Sequence, residues 1–260
     1  MNRDLNQEFV DECQERITEY PGSDLAKSAH EFMKASTLPK YSYNFRWLDR
    51  PIIQYPQDIV AMQEIIWQVK PDLIIETGIA HGGSLIFSAS MLAMIDYAEA
   101  VENGEILDPK SSKRKVLGID IDLREHNRAS IEANPFSHMI QTVVGSSVSD
   151  NIINEVKSIA SSYSNILVCL DSNHTHEHVL KELEAYASLT SVGSYCVVFD
   201  SMIEDLPDEL FPDRPWCKGN NPKSALKQWI ASHPEFVIDK NIDDKLLISV
   251  VSEGYLKRVK

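Results

Sequence analysis

The sequence predicts an α/β protein: a mostly parallel seven-stranded sheet flanked by helices, preceded by a helical extension at the N-terminus. Three observations predict it. From Pro71 onward, short β-branched runs alternate with stretches of helical spacing. The runs are almost continuously apolar, as strands covered on both faces are. The helical stretches between them supply the crossovers that parallel pairing requires.

Taken in order, residues 1–35 carry apolar residues at helical spacing, among them Phe9, Val10, Cys13, Ile17, Phe32 and Met33, and Pro39 closes that region. Tyr41–Leu48 is aromatic-rich with no clean period. Ile59, Val60, Met62, Ile65, Ile66 and Val69 then place a helix over Asp58–Val69. The predicted strands are Leu73–Thr77, Lys115–Asp120, Met139–Val144, Asn165–Asp171, Tyr195–Asp200, Phe236–Asp239 and Leu246–Val251, the last two near enough for an antiparallel pair. Helices are predicted at Ser84–Glu99, Glu125–Glu132, Val148–Ser161 and His176–Ala187. Glu102–Lys113 is polar and reads as an exposed insertion. Residues 1–56 are expected to form a helical or lid extension, and 57–260 a single compact unit.

A formal charge of −14 disfavours nucleic acid or an anionic membrane as partner, because the mean field would repel both. Cys13, Cys169, Cys196 and Cys217 show no CxxC spacing; reduced thiols are expected rather than a disulfide framework or a zinc site. The polar N-terminus carries no apolar signal core, and no apolar stretch reaches the ~20 residues of a membrane span. The expected location is cytoplasmic.

In an open α/β sheet the ligand lies beyond the carboxyl ends of the strands. The first strand ends Glu76-Thr77-Gly78-Ile79-Ala80-His81-Gly82-Gly83-Ser84. Its glycines let the backbone turn tightly toward a ligand at a helix N-terminus. The spacing Gly-x-x-x-Gly-Gly is neither the dinucleotide fingerprint nor a phosphate loop. A plain structural turn is the competing explanation. The second strand ends at Asp120, one βαβ unit later, where a carboxylate can accept hydrogen bonds from both ribose hydroxyls; a solvated or capping aspartate is the alternative. The third ends Gly145-Ser146-Ser147, a small polar turn fit to border an adenine ring.

Asp171 and Asp200 end the fourth and fifth strands and therefore emerge side by side. Two convergent carboxylates repel unless a cation lies between them. Oxygen ligands suit magnesium, with Ser201 or water completing the shell. One capping and one loop-bonded aspartate is the alternative. His174, His176 and His178 are spaced by two, which on a helix sends them to different sides, so joint zinc ligation is disfavoured. His174 stays near the strand end as a candidate general base, imidazole being the side chain suited to proton transfer near neutral pH. His176 and His178 are expected on the helix surface.

These residues resemble the metal-dependent class I methyltransferases with a Rossmann-like sheet, a plan shared by catechol O-methyltransferase. The closer resemblance is to the family named after cephalosporin hydroxylase and including rhamnosyl O-methyltransferases. It is carried by Asn44–Trp47, Pro51–Asp58, Glu76–Ser84, Gly118–Asp122 and Gly219–Lys223. It implies S-adenosylmethionine near Glu76, Gly78, Ser84 and Asp120; His81, Gly82 and Ser146, in the same strand-end turns, complete the expected cofactor set. It also implies magnesium at Asp171 and Asp200; with Ser201 as the expected third metal ligand, His174 and Asp171 are the expected catalytic residues. His174 stands where the catechol enzymes place a lysine base. Phe199 departs from the family, which often has an acid there, so Ser201 or Glu204 is expected to complete the metal shell. The implied activity is O-methylation of a sugar or glycoside hydroxyl by a homo-oligomer. The rivals are an oxygenase and a non-catalytic cofactor-binding partner. Trp216 and Asn220–Asn221 lie in a long loop suited to acceptor contacts, and Tyr41, Tyr43, Phe45 and Trp47 either wall the acceptor or pack the extension.

Overall fold

The structure, a computed structural model, describes residues 5–260. The predicted N-terminal helical region starts at residue 1, so its first four residues lie outside the described residues. From Leu5 onward it holds two helices, α1 (Leu5–Glu19) and α2 (Asp24–Thr37). Helix α1 buries none of its residues; α2 is capped by Ser23, whose Oγ accepts from Ala26 N, and buries Ala29, Met33 and Ser36.

A short hairpin that no periodicity predicts follows: β1 (Phe45–Trp47) and β2 (Arg50–Ile52), antiparallel. Three-residue strands are too short to show alternation. The hairpin is made by Leu48 and Asp49, both left-handed at φ +44° and +64°, as a two-residue turn matching strand twist requires. The helix α3 (Pro56–Val69) comes next, with proline in its first turn.

The main sheet has seven strands: β3 (Leu73–Thr77), β4 (Lys115–Asp120), β5 (Ile140–Val144), β6 (Ile166–Leu170), β7 (Tyr195–Val198), β8 (Phe236–Ile238) and β9 (Tyr255–Arg258). Their spatial order is β5-β4-β3-β6-β7-β9-β8. The first five are parallel, and β9 pairs antiparallel to both β7 and β8. The chain winds outward from β3 to β5 and then returns to β6, so the switch of strand order falls between β3 and β6. Helices α4 (Gly83–Asn103), α5 (Glu125–Glu132), α6 (Asp150–Ala160) and α7 (His176–Tyr186) occupy the crossovers. Apolar cores cover both faces of the sheet; one includes Met33, Ile52 and Tyr55 of the N-terminal segment beside Ile66, Ile74 and Leu92.

The seventh strand is not where the sequence predicts it. Leu246–Val251 is the end of helix α9 (Lys240–Leu246) followed by irregular chain, and Tyr255–Arg258 takes the place in the sheet. The cause is a buried acid. Asp58 of α3 accepts from Ser249 Oγ (2.5 Å), Val250 N (3.0 Å) and Tyr255 Oη (3.1 Å), so backbone that would have joined a ladder is bonded to a side chain. Left-handed Leu247 and Glu253 break extension on either side. Helix α8 (Pro222–Ile230), also not predicted, starts at a capping box in which Asn221 and Ser224 bond reciprocally.

One further correction concerns α4. Its 21 residues are long and apolar enough to cross a membrane by length and composition, contrary to the expectation of no such stretch. More than half of its most apolar window is buried, and Leu85, Ile86, Ala89, Leu92 and Ile95 are core residues. The predicted insertion at 102–113 is exposed along most of its length.

Candidate active site

A cleft of about 630 Å³ opens at the carboxyl ends of β3, β4, β6 and β7, over the switch point. The N-terminal segment forms one wall through Lys40, Tyr43 and Ile52, and the loop after β7 forms another through Phe211, Arg214 and Trp216.

The β3–β4 side is held by its own hydrogen bonds. Gly78 is left-handed (φ +89°), and a Cβ there would fall 2.0 Å from the Asp171 carbonyl oxygen, so only glycine lets the exits of β3 and β6 touch. Beyond it, Ile79 N (2.8 Å) and Ala80 N (3.3 Å) donate to Asp120 Oδ2, while Asp122 N donates to Oδ1 (2.9 Å). Arg50 of β2 clamps the same turn: its Nε donates to the His81 carbonyl (2.5 Å) and its Nη2 to Asn127 Oδ1 (2.7 Å), and Asn127 Nδ2 donates to the Ala80 carbonyl (2.9 Å). Gly83 opens α4 so close to β2 that a Cβ would meet the Pro51 carbonyl at 2.1 Å.

Gly78, His81, Ser84 and Asp120 line the cleft as expected from the strand-end positions. Three other residues of the expected cofactor set do not. Glu76 lies one layer beneath, only 4% exposed, in a cavity of about 30 Å³, and accepts from Ser84 Oγ. Burial pushes its carboxyl up to about 7, against the opposing Ser84 bond. Gly82 is the left-handed N-cap of α4 and shapes the turn from behind. Ser146 lies outside the cleft lining; its carbonyl accepts from Ser149 N (3.0 Å) and Ser149 Oγ (2.8 Å), closing the loop into α6.

The β6–β7 side is the opposite case. Asp171, His174 and Asp200 present ligand atoms all within 4.8 Å of one another, with His174 Nε2 3.1 Å from Asp200 Oδ2. No lysine or arginine is paired with either carboxylate among the described residues. Asp171 opens onto the cleft but is otherwise enclosed by protein. Desolvation first, then the charges of Asp200, Glu76 and Glu182, hold its carboxyl well above the usual carboxylate range. Two convergent carboxylates with no lysine or arginine beside them among the described residues fit a divalent metal, with His174 at their edge. The His174 ring meets Trp216 edge-on at 4.7 Å, and the Arg214 guanidinium lies 5.1 Å from the Trp216 centroid.

Ser201 is not brought into this group. Asp200 is left-handed (φ +53°) and turns the chain directly into a 3-10 helix over Ser201–Asp205, which buries Ser201 against Gly254, away from the cleft. His174 stands at the third corner instead. Glu204 is equally diverted: its Oε2 accepts from Gly219 N (2.8 Å) and from Asn221 Nδ2. Nor are the other two histidines free on the helix surface. His176 joins α7 to α8 through Ser224 Oγ (2.8 Å) and Gln228 Oε1 (3.1 Å). His178 Nε2 lies 3.1 Å from both Ser147 Oγ and Ser172 Oγ, and Ser172 donates to the fully buried Glu182 (2.7 Å). Helical spacing correctly separates the three histidines, but it says nothing of which neighbours each side meets.

A family model described as Rhamnosyl O-methyltransferase/CmcI matches residues 39–259. The chain belongs to that family. It is an O-methyltransferase. The match begins after α2, so both N-terminal helices fall outside the family's common part. Among its relatives, the chain is similar to the rhamnosyl O-methyltransferase of Mycobacterium leprae (strain TN), at 26% identity over 214 residues covering 82% of each chain. The rhamnosyl O-methyltransferase of Mycobacterium bovis (strain BCG / Pasteur 1173P2) is 29% identical over 151 residues, 58% of this chain and 54% of that one. A structure of CmcI with Mg and SAM superposes with a TM-score of 0.55 at 16% identity, over 84% of this chain and 78% of that one. CmcI with SAH gives 0.54 at 17% identity, over 83% of each. At such identities the superpositions establish a common class I fold.

Arg50, Asn127 and Gln54 escaped the strand-end logic. All three act across the fold, and only the motif Pro51–Asp58, which contains Gln54, gave any sign.

Proposed function

We propose that this family member transfers a methyl group from S-adenosylmethionine to a hydroxyl of a sugar or glycoside, assisted by magnesium at Asp171 and Asp200. The observation that carries this reading is the pairing, across one cleft, of a nucleoside-ready Asp120 with the Asp171–His174–Asp200 cluster. Asp120 fits the cofactor because two backbone N–H groups fix its Oδ2 while Oδ1 accepts only one, which leaves a lone pair on Oδ1 for a ribose hydroxyl. When bound, S-adenosylmethionine supplies the electrophilic sulfonium methyl and magnesium lowers the pKa of the acceptor hydroxyl.

The chain's own residues do the rest. His174 faces the cleft with its Nε2 held by Asp200, and takes the hydroxyl proton on its other ring nitrogen, Nδ1, as the oxygen–methyl bond forms and the methyl–sulfur bond breaks. Asp200 orients the imidazole and stabilises the imidazolium. Trp216 and Tyr43 offer aromatic faces on opposite walls for the apolar side of a sugar ring. The anchored turn at Gly78–Ser84 fixes the methyl donor's position relative to the β6–β7 side, which supplies alignment. The names of the relatives favour a rhamnosyl acceptor.

Calorimetric titration with S-adenosylmethionine, with and without magnesium, followed by labelled methyl transfer to a rhamnoside and to a catechol, tests the reading. Cofactor binding and magnesium-dependent labelling of the rhamnoside are expected. Absence of cofactor binding would sink the proposal, and labelling of the catechol alone would replace the sugar acceptor by a phenol.

A further inference from the structure

Gln54 lies in the turn between β2 and α3, outside every strand end of the main sheet, yet it reaches the centre of the site. It is only 7% exposed and lines both the large cleft and the small cavity that contains Glu76. Its Nε2 donates to Asp171 Oδ2 at 3.4 Å, and its Oε1 is buried with no partner. The chain that follows it is anchored by two side chains. The adjacent Tyr55 Oη shares a 2.7 Å hydrogen bond with Ser36 Oγ of α2, and Asp58, one turn into α3, is tied to Ser249 and Val250.

An apolar side chain of the same shape would satisfy this position without an orphaned carbonyl, so packing alone does not account for an amide here. Asp171 does account for it. That carboxylate faces Asp200, Glu76 and Glu182, all of its own sign, and Gln54 is its one side-chain hydrogen-bond donor among the described residues. An amide donor holds a carboxylate's rotamer without neutralising it. A lysine there would instead occupy the place of the cation. The small cavity has room for one water, which is the donor that Oε1 can take.

We propose that Gln54 is the positioning residue of the metal site, supplied by the N-terminal segment, which orients Asp171 for a divalent cation. The inference rests on the metal reading above. It makes the segment preceding the main sheet part of the metal site, as outer-shell partners are elsewhere.

The test uses the full chain, with Mn²⁺ titrated alone and followed by electron paramagnetic resonance, and S-adenosylmethionine titrated without metal. Gln54→Leu is expected to weaken Mn²⁺ binding about tenfold while leaving metal-free cofactor affinity and melting temperature unchanged. Gln54→Asn, which keeps the amide but withdraws it from Asp171, is expected to weaken Mn²⁺ in the same direction and serves if the leucine variant does not fold. Mn²⁺ affinity within twofold of wild type in a folded variant overturns the proposal. So does a parallel loss of cofactor affinity and melting temperature, which marks a packing role. No Mn²⁺ binding by the wild type overturns the metal reading beneath it, a result distinct from both.

Discussion

The two halves of the cleft are built on opposite principles. On the β3–β4 side, Asp120 accepts three backbone N–H bonds and Arg50 and Asn127 clamp the loop around it, so the turn is finished before any ligand arrives. On the β6–β7 side, Asp171 and Asp200 face each other with one imidazole and one amide for company, and the resulting repulsion is left for a cation to relieve. A pre-formed turn fixes where a cofactor sits at no cost in reorganisation. An electrostatically frustrated pair instead stores the affinity for a metal, at the expense of stability in its absence.

The sharpest way to break this division is at the point where the halves touch. Gly78→Ala puts a methyl group 2.0 Å from the Asp171 carbonyl in a left-handed backbone, and is expected to cost about 3 kcal/mol in urea unfolding. An unchanged midpoint would show that the contact between the exits of β3 and β6 is not rigid. The halves should then respond oppositely to the same chemical change. At pH 8 without metal, Asp120→Asn is expected to destabilise by about 1 kcal/mol through weakened charge-assisted bonds. Asp171→Asn should stabilise by about the same amount, because it removes a carboxylate from a cluster of acids. Equal signs for the two variants would erase the contrast.

A further effect is a pH dependence. The Glu76 carboxyl is raised from 4.5 to about 7, so the folded state holds its proton more tightly than the unfolded state does. Its contribution is fully present below pH 4.5 and is lost as pH rises through 7. Asp58, raised to about 6, and Asp243, raised to about 7, act in the same sense. Metal-free stability should therefore fall from pH 4.5 to 7, and Glu76→Gln should flatten part of that fall in urea midpoints measured across the range. A slope identical to wild type would place the titration elsewhere.

What could be read along the chain follows from how locally each feature is encoded. Strands β3 and β4 match their predicted bounds because apolar runs stop at a glycine or an aspartate, and β6 and β7 differ only at their ends. Asp120, Asp171 and Asp200 could be assigned to the ligand edge from strand-end position alone. Leu246–Val251 misled because its composition is more strand-like than that of Tyr255–Arg258, while Asp58, 192 positions from Val250, had claimed its backbone. Ser201 misled because adjacency to Asp200 does not reveal the left-handed turn between them.

Alternation, period and the residue types at strand ends are set within roughly ten residues, so the chain carried the α/β class, the ligand edge of the sheet and the two convergent acids Asp171 and Asp200 on its face. The partners of those acids come from the turn between β2 and α3 and from the loop before α7, brought together by packing that depends on the whole core. That is why Arg50, Gln54 and the burial of Ser201 away from the two acids appear only once the chain is folded.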